Sequence, residues 1–195
     1  MSVLIVDNDI NCSWLSSRVL RNEQKILKKY PPTNYFKRCT DGGTGLGLNS
    51  LTSRFYHFNV LSWFGTKQLR KCIKAGYNNF NKVKGNTVFV QCWANVMRKG
   101  DIIKPHTHLS ENISSLHALS GHLCVKVDGS TSTFYNGKPL PNVNGQMVFF
   151  PSTMTHWTNT YMGDSERITI AFDIYSKEWF NYDVFEEAKS HWIEL

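Results

Sequence analysis

The stretch Gly145-Gln-Met-Val-Phe-Phe-Pro-Ser-Thr-Met-Thr-His156 decides how this chain is read. Gly145 allows a tight turn into an apolar strand, Pro151 ends it, and His156 emerges five residues beyond the proline. Outward from this point the second half of the chain keeps one texture. The runs TVFVQCWANVM (87–97), LHALSGHLCVKV (116–127), STFYN (132–136), GQMVFFP (145–151) and RITIAFDIY (167–175) are short, β-branched and aromatic, with Gly, Asn, Asp and Pro between them. Strands at this spacing, without helical periodicity between them, predict a double-sheet jelly roll or a barrel.

The first half reads differently. From Ser13 to Tyr30, residues Trp14, Leu15, Val19, Leu20, Ile26 and Leu27 recur at a helical interval, and Pro31 and Pro32 stop the pattern. Thr40 to Asn49 (TDGGTGLGLN) is glycine-rich, but its spacing fits neither phosphate-loop signature, so it reads as an ordinary loop. Thr66 to Gly76 reads as a short amphipathic helix, Thr66 capping its start and Gly76 its end. Lys67, Arg70, Lys71 and Lys74 give that helix a cationic face. From Lys177 the pattern suggests one or two acidic amphipathic helical segments covering a sheet face. The expected organisation is a helical and loop elaboration over 1–85, a β core over 86–176 and a helical segment over 177–195, in one compact domain of mainly β structure with flanking helices.

The chain is 195 residues long with 41% hydrophobic residues and 13% aromatics, enough for one packed interior and too little for two. Net charge is +7, unevenly spread: residues 1–104 carry 17 basic and 5 acidic side chains, residues 105–195 carry 5 and 10. The basic half points to an anionic partner or substrate: nucleic acid, an acidic protein segment or a phosphorylated metabolite. Five cysteines without a CxxC pair fit reduced thiols better than a disulfide framework or thiolate metal site. The first residues offer an apolar stretch of only four before acids intervene, which matches neither a signal peptide nor a membrane span and predicts a cytoplasmic protein with no membrane partner.

Chemistry concentrates in a few side chains. If Pro105 to Leu109 is extended, His106 and His108 share a face, and neutral imidazoles side by side are ready metal ligands. His156 follows about fifty residues later. Eleven residues past it comes Arg167, with Thr169 on the same strand face. A guanidinium directed into a barrel needs an anion, which its planar fork grips bidentately, and Thr169 can donate a hydroxyl to the same carboxylate. The plainer alternative pairs Arg167 with Glu166 or Asp164 on a loop. Asn95 lies with Trp93 on one face of the strand before the two histidines, where its amide could donate a hydrogen bond. His117 and His122 have an odd separation and cannot both face a metal; surface or core roles suit them, with His117 the candidate for the pocket wall.

Taken together, WANVMRKGDIIKPHTH (93–108), LSGHLCV (119–125), GQMVFFPSTMTHWT (145–158) and RITIAFDI (167–174) resemble non-haem Fe(II)/2-oxoglutarate-dependent oxygenases, in particular the small ones encoded by T4-like cyanophages and marine bacteria. DGGTGLGLNSLTSRFYHFN (41–59) is similar to the N-terminal region of the phage proteins. The resemblance implies a double-stranded β-helix of the cupin-like jelly-roll kind with iron in the barrel mouth. It implies His106 and His156 as Fe(II) ligands, and Arg167 with Thr169 holding the remote carboxylate of 2-oxoglutarate. It further implies dioxygen as co-reactant, hydroxylation of an unidentified substrate, and a host cytoplasm if the chain is phage-encoded. The chain departs from the family at the position two after the first histidine, where Asp or Glu is usual and His108 stands. Either His108 completes a three-histidine site or Glu111 supplies the oxygen ligand. Two rival readings are a metal cupin that uses no 2-oxoglutarate and a non-catalytic jelly-roll binding protein.

Overall fold

Each of the five apolar runs in the second half forms a strand, because β-branched and aromatic side chains suit a pleated surface buried on one or both faces. The computed structural model describes residues 3–35, 38–109, 114–184 and 186–195. Along the chain these form β1 (Leu4–Asp7), α1 (Cys12–Lys29), β2 (Thr33–Tyr35), β3 (Arg38–Thr40), α2 (Lys67–Asn81), β4 (Val88–Met97), β5 (Ala118–Lys126), β6 (Ser132–Tyr135), β7 (Lys138–Pro141), β8 (Gln146–Pro151), β9 (His156–Thr158), β10 (Arg167–Ser176), α3 (Lys177–Asp183), α4 (Glu186–Lys189) and β11 (Ile193–Glu194). Two 3-10 turns, Thr52–Arg54 and Val60–Ser62, lie between β3 and α2.

The major sheet has the order β1-β8-β5-β10-β4-β11 and the minor sheet the order β7-β6-β9; β2 and β3 form a separate hairpin. Every pairing within these sheets is antiparallel. The architecture is mainly β with flanking helices, a double-stranded β-helix. Strands from outside 86–176 complete the major sheet: β1 pairs with β8, and β11, a strand not expected within the C-terminal helical segment, pairs with β4.

Alternation along β4 and β10 separates two environments. Cys92, Ala94 and Val96 of β4, with Ile168, Ile170, Phe172 and Ile174 of β10, enter the large core that also holds Leu15, Val19 and Ile26 of α1 and Leu69, Ile73 and Tyr77 of α2. The opposite parity faces the space between the two sheets: Trp93 and Asn95 from β4, and Arg167, Thr169 and Ala171 from β10. The two helices therefore back the major sheet, and the barrel interior lies on its other face.

Helix α1 starts where Asn11 accepts a hydrogen bond from the Trp14 amide at 2.9 Å and ends before Pro31. Its buried Glu23 receives both guanidinium nitrogens of Arg98, at 3.1 and 2.8 Å. Helix α2 departs from the sequence reading. It does not end at Gly76 but runs to Asn81, with Lys82 left-handed at its C-terminus. Gly76 lies inside the helix because a Cβ there would stand 1.9 Å from Cζ of Phe149, so the missing side chain is what lets α2 settle on β8. Thr66 precedes the helix as expected, but its hydroxyl bonds Leu61 and Trp63 carbonyls, both at 2.8 Å, without capping a helical amide. All five cysteines are free thiols, and among the described residues no helix is long and apolar enough to cross a membrane.

Candidate metal centre

His106 and His156 face each other as an isolated antiparallel bridge, each amide donating to the other's carbonyl, at 3.2 and 3.0 Å. His108 is held from the backbone too, its amide donating to Ser152 O at 2.9 Å. These contacts bring the three rings together: centroids lie 4.3 Å apart for His106–His156, 5.0 Å for His108–His156 and 5.4 Å for His106–His108. One ring nitrogen from each lies within 4.8 Å of those from the other two.

The other nitrogen of each ring is already engaged. His106 Nδ1–H donates to Lys104 O at 2.8 Å and His156 Nδ1–H to Met154 O at 3.0 Å. A carbonyl only accepts, so both rings carry their proton on Nδ1 and offer the Nε2 lone pair. His108 Nδ1 meets Asp173 Oδ1 at 2.5 Å, and Ser120 Oγ donates to the same carboxylate oxygen at 2.6 Å. Burial pushes His106 down to about 4 and His156 well below the ordinary imidazole range, in both cases reinforced by neighbouring histidines. Both are neutral at pH 7, the state that binds a metal. Three imidazoles gathered this closely, each fixed through its Nδ1, form a donor set that suits a divalent ion. Glu111, the alternative oxygen ligand, lies outside the described residues.

Arg167 and Thr169 share a narrow cavity with the three histidines and Asn95. Arg167 is 1% exposed and has no acid partner among the described residues. Nε donates to Thr131 Oγ1 at 3.0 Å, Nη2 to Asn142 Oδ1 at 2.5 Å, and Nη1 approaches Met97 Sδ at 3.1 Å. The acids considered as local partners are taken elsewhere: Glu166 binds Lys126 and Asp164 binds Lys99. A buried cation surrounded by neutral groups carries a desolvation cost that an anion in the same cavity would offset. Asn95 Oδ1 accepts from Thr52 Oγ1 at 2.6 Å, which fixes its amide within the cavity wall.

Of the two histidines read as surface or core residues, the one named for the pocket wall stays outside it and the other enters it. His117 is at the surface, 3.2 Å from Ser176 Oγ, and does not line the cavity. His122 does: it is buried, its Nε2 has no hydrogen-bond partner, and burial beside Arg167 lowers its pKa to about 3. Sequence reasoning also missed Asp173, although it shares parity with Arg167 and Thr169 on one strand, a signal that was available. Thr131 and Asn142 carry no such signal, since loops bring them to Arg167.

The glycine-rich segment is the wall of the mouth. Thr44 O accepts from Lys104 N at 2.7 Å, Asp41 Oδ2 from Gly47 N at 2.8 Å, and Thr44 lines the cavity beside His106. Gly42, Gly43, Gly45 and Gly47 all have φ between 70° and 81°, a run that only glycine follows without strain.

No protein-family profile matches the chain, and no curated protein matches it by sequence. Solved structures match by fold. The viral collagen prolyl hydroxylase of Paramecium bursaria Chlorella virus-1, in complex with 2-oxoglutarate, superimposes with a TM-score of 0.55 at 14% identity, over 90% of this chain and 97% of that one. A Trichoplax adhaerens prolyl hydroxylase, solved with a hypoxia-inducible-factor peptide, gives 0.54 at 11%, over 94% and 87%. The epimerase SnoN of nogalamycin biosynthesis, with Fe3+, α-ketoglutarate and nogalamycin RO, gives 0.56 at 10%, over 89% and 78%. The chain thus has the fold of Fe/2-oxoglutarate-dependent oxygenases and carries a histidine triad at a candidate metal site.

Proposed function

We propose that the protein is an Fe(II)- and 2-oxoglutarate-dependent dioxygenase, in which His106, His108 and His156 hold the iron and Arg167 with Thr169 holds the far carboxylate of 2-oxoglutarate. The observation that carries this reading is Arg167: a fully buried guanidinium without an acid partner among the described residues, in the same cavity as three histidines whose outer nitrogens are tied. A metal cupin that ignores 2-oxoglutarate has no use for that cation.

When bound, iron and 2-oxoglutarate supply the oxidising power: dioxygen is split between the substrate, which gains a hydroxyl at a C–H bond, and 2-oxoglutarate, which becomes succinate and CO2. The protein's part is orientation and exclusion of water. Thr131 and Asn142 aim the Arg167 guanidinium into the cavity. Asn95, positioned by Thr52, lines the same cavity as a further donor to the cosubstrate. Phe150, Trp157 and Trp93 wall the space against solvent. Asp173 behind His108 returns to the site the negative charge that the family's usual acid would carry. The narrower likeness to small oxygenases of T4-like cyanophages, and with it a host-cytoplasmic location, rests on the sequence stretches alone.

The test is anaerobic titration of the protein with Fe(II) and then 2-oxoglutarate, following the weak visible charge-transfer band. The band should form in wild type and be lost in His156→Ala. A wild type that binds Fe(II) stoichiometrically and shows no band with 2-oxoglutarate supports the cupin reading, and one that binds no Fe(II) supports a binding protein.

A further inference from the structure

The histidines separate two cavities. One contains Arg167. The other, of about 270 Å³, opens on the far side of His106 and His108. Its walls are aromatic: Phe55, Tyr56, Trp93, Tyr175 and Trp192 all line it. Its charged groups are Asp41 and Asp173, and no Lys or Arg lines it among the described residues.

We infer that this cavity takes a protonated amine or guanidinium carried on an apolar stem, an inference that rests on the oxygenase reading for its claim that the occupant is the substrate. The faces of aromatic rings attract cations and bury apolar stems, and carboxylates at the wall strengthen the preference. The Asp41 carboxylate is fixed in place by the amides of Gly43, at 3.1 Å, and Gly47, at 2.8 Å. The Asp173 carboxylate, hydrogen-bonded to His108 Nδ1, lines the cavity from β10 of the major sheet. An anionic substrate would meet two carboxylates and no described cation. A cavity of about 270 Å³ has room for one side chain or a small amine.

Trp93 supplies a second, independent sign of a ligand. It is 6% exposed, lines both cavities, and its Nε1–H has no hydrogen-bond partner. A buried indole donor left open marks a space that a ligand completes, its N–H meeting an acceptor on the body of the occupant, such as a peptide carbonyl, apart from the cationic head. Among the described residues, none of the first half's lysines and arginines lines this cavity. Lys25, Lys28, Lys29, Lys67 and Lys71 are exposed on α1 and α2, the helices that back the other face of the major sheet.

A charge series of nearly constant shape tests the inference: phenethylammonium, 2-phenylethanol and 3-phenylpropionate. Each is titrated into ligand-free protein and, anaerobically, into protein loaded with Fe(II) and 2-oxoglutarate. Quenching of tryptophan emission, to which Trp93 and Trp192 in the cavity wall contribute, reads binding in both states, and perturbation of the visible band reads it in the second. Phenethylammonium should bind at least about tenfold more tightly than either companion. Asp41→Asn should cut that preference about threefold, and Phe55→Leu should weaken the amine alone, with circular dichroism unchanged. N-acetyl-lysine methylamide separates the sources: tighter binding than phenethylammonium identifies a peptidyl side chain, weaker binding a free amine. Equal or tighter binding of the carboxylate or the alcohol by wild type overturns the inference, whatever the variants do. If the visible band never forms but ligand-free protein selects the amine, the oxygenase reading falls and the cation cavity stands. If the band forms and the charge series is flat, the cavity inference falls alone.

Discussion

Asp173 stands behind His108, its Oδ1 2.5 Å from the ring's Nδ1, so a carboxylate backs one ring of the histidine triad. Ser120 donates to the same oxygen and is in turn 2.8 Å from Ser152 Oγ, whose residue also holds the His108 amide. The imidazole is thus oriented from two sides.

Asp173→Asn keeps the shape and an acceptor oxygen while removing the charge. Fe(II) affinity should drop by about 10- to 100-fold, as is usual when a group orienting a metal ligand is altered. Anaerobic competition against a chelator measures it, and an affinity within error of wild type would assign Asp173 to packing only.

Arg167→Ala should leave Fe(II) binding intact and weaken 2-oxoglutarate by about 100-fold, the equivalent of two charge-assisted hydrogen bonds. In wild type, 2-oxoglutarate in excess should raise the melting temperature by mass action, and in the variant this rise should vanish. A variant that keeps the ligand-induced rise would place the cosubstrate elsewhere.

Acid should destabilise the metal-free protein through its buried histidines. His106 titrates at about 4 when folded against 6.5 ordinarily, chiefly through burial, and His122 at about 3. Between these values and 6.5 the unfolded chain binds protons that the folded one refuses, so stability is intact above pH 6.5 and falls as pH drops toward 4. The loss is about 3 kcal/mol for His106 alone once pH reaches its folded value. Urea midpoints at about pH 7.5 and about pH 5 should differ accordingly, and less so in His122→Gln.

Gly76→Ala improves helix propensity yet should destabilise by about 1–3 kcal/mol, because the new methyl overlaps the Phe149 ring. Phe149→Leu in the same chain should recover part of the loss. Thermal or urea unfolding of the single and double variants beside wild type decides it, and a stabilised single variant would mean that Phe149 moves aside freely.

How much of this could be read in advance depended on length and on what lay nearby in the chain. The runs at 87–97, 116–127, 145–151 and 167–175 are long enough for residue type to speak, and each contains its strand. β9 has only three residues, β11 two, and β7 carries Pro139 and Pro141, tolerable at the sheet edge where it lies. Such strands exist because neighbours pair with them, which local sequence does not record. Parity along one strand did carry information: it grouped Arg167 with Thr169 and would have added Asp173. The guanidinium's partners Thr131 and Asn142, and the aromatic cavity assembled from Phe55, Trp93 and Trp192, come from segments far apart in the chain. Gly76 misled because a glycine serving close approach and a glycine ending a helix look alike in sequence.

The backbone bridge between His106 and His156, and the hydrogen bond from the His108 amide to the Ser152 carbonyl, use no side-chain atoms of the triad. The scaffold that gathers the ligands is therefore indifferent to what they are. An exchange of imidazole for carboxylate at position 108 would leave these backbone hydrogen bonds in place but set two carboxylates face to face, so Asp173 and His108 are choices that the fold makes together.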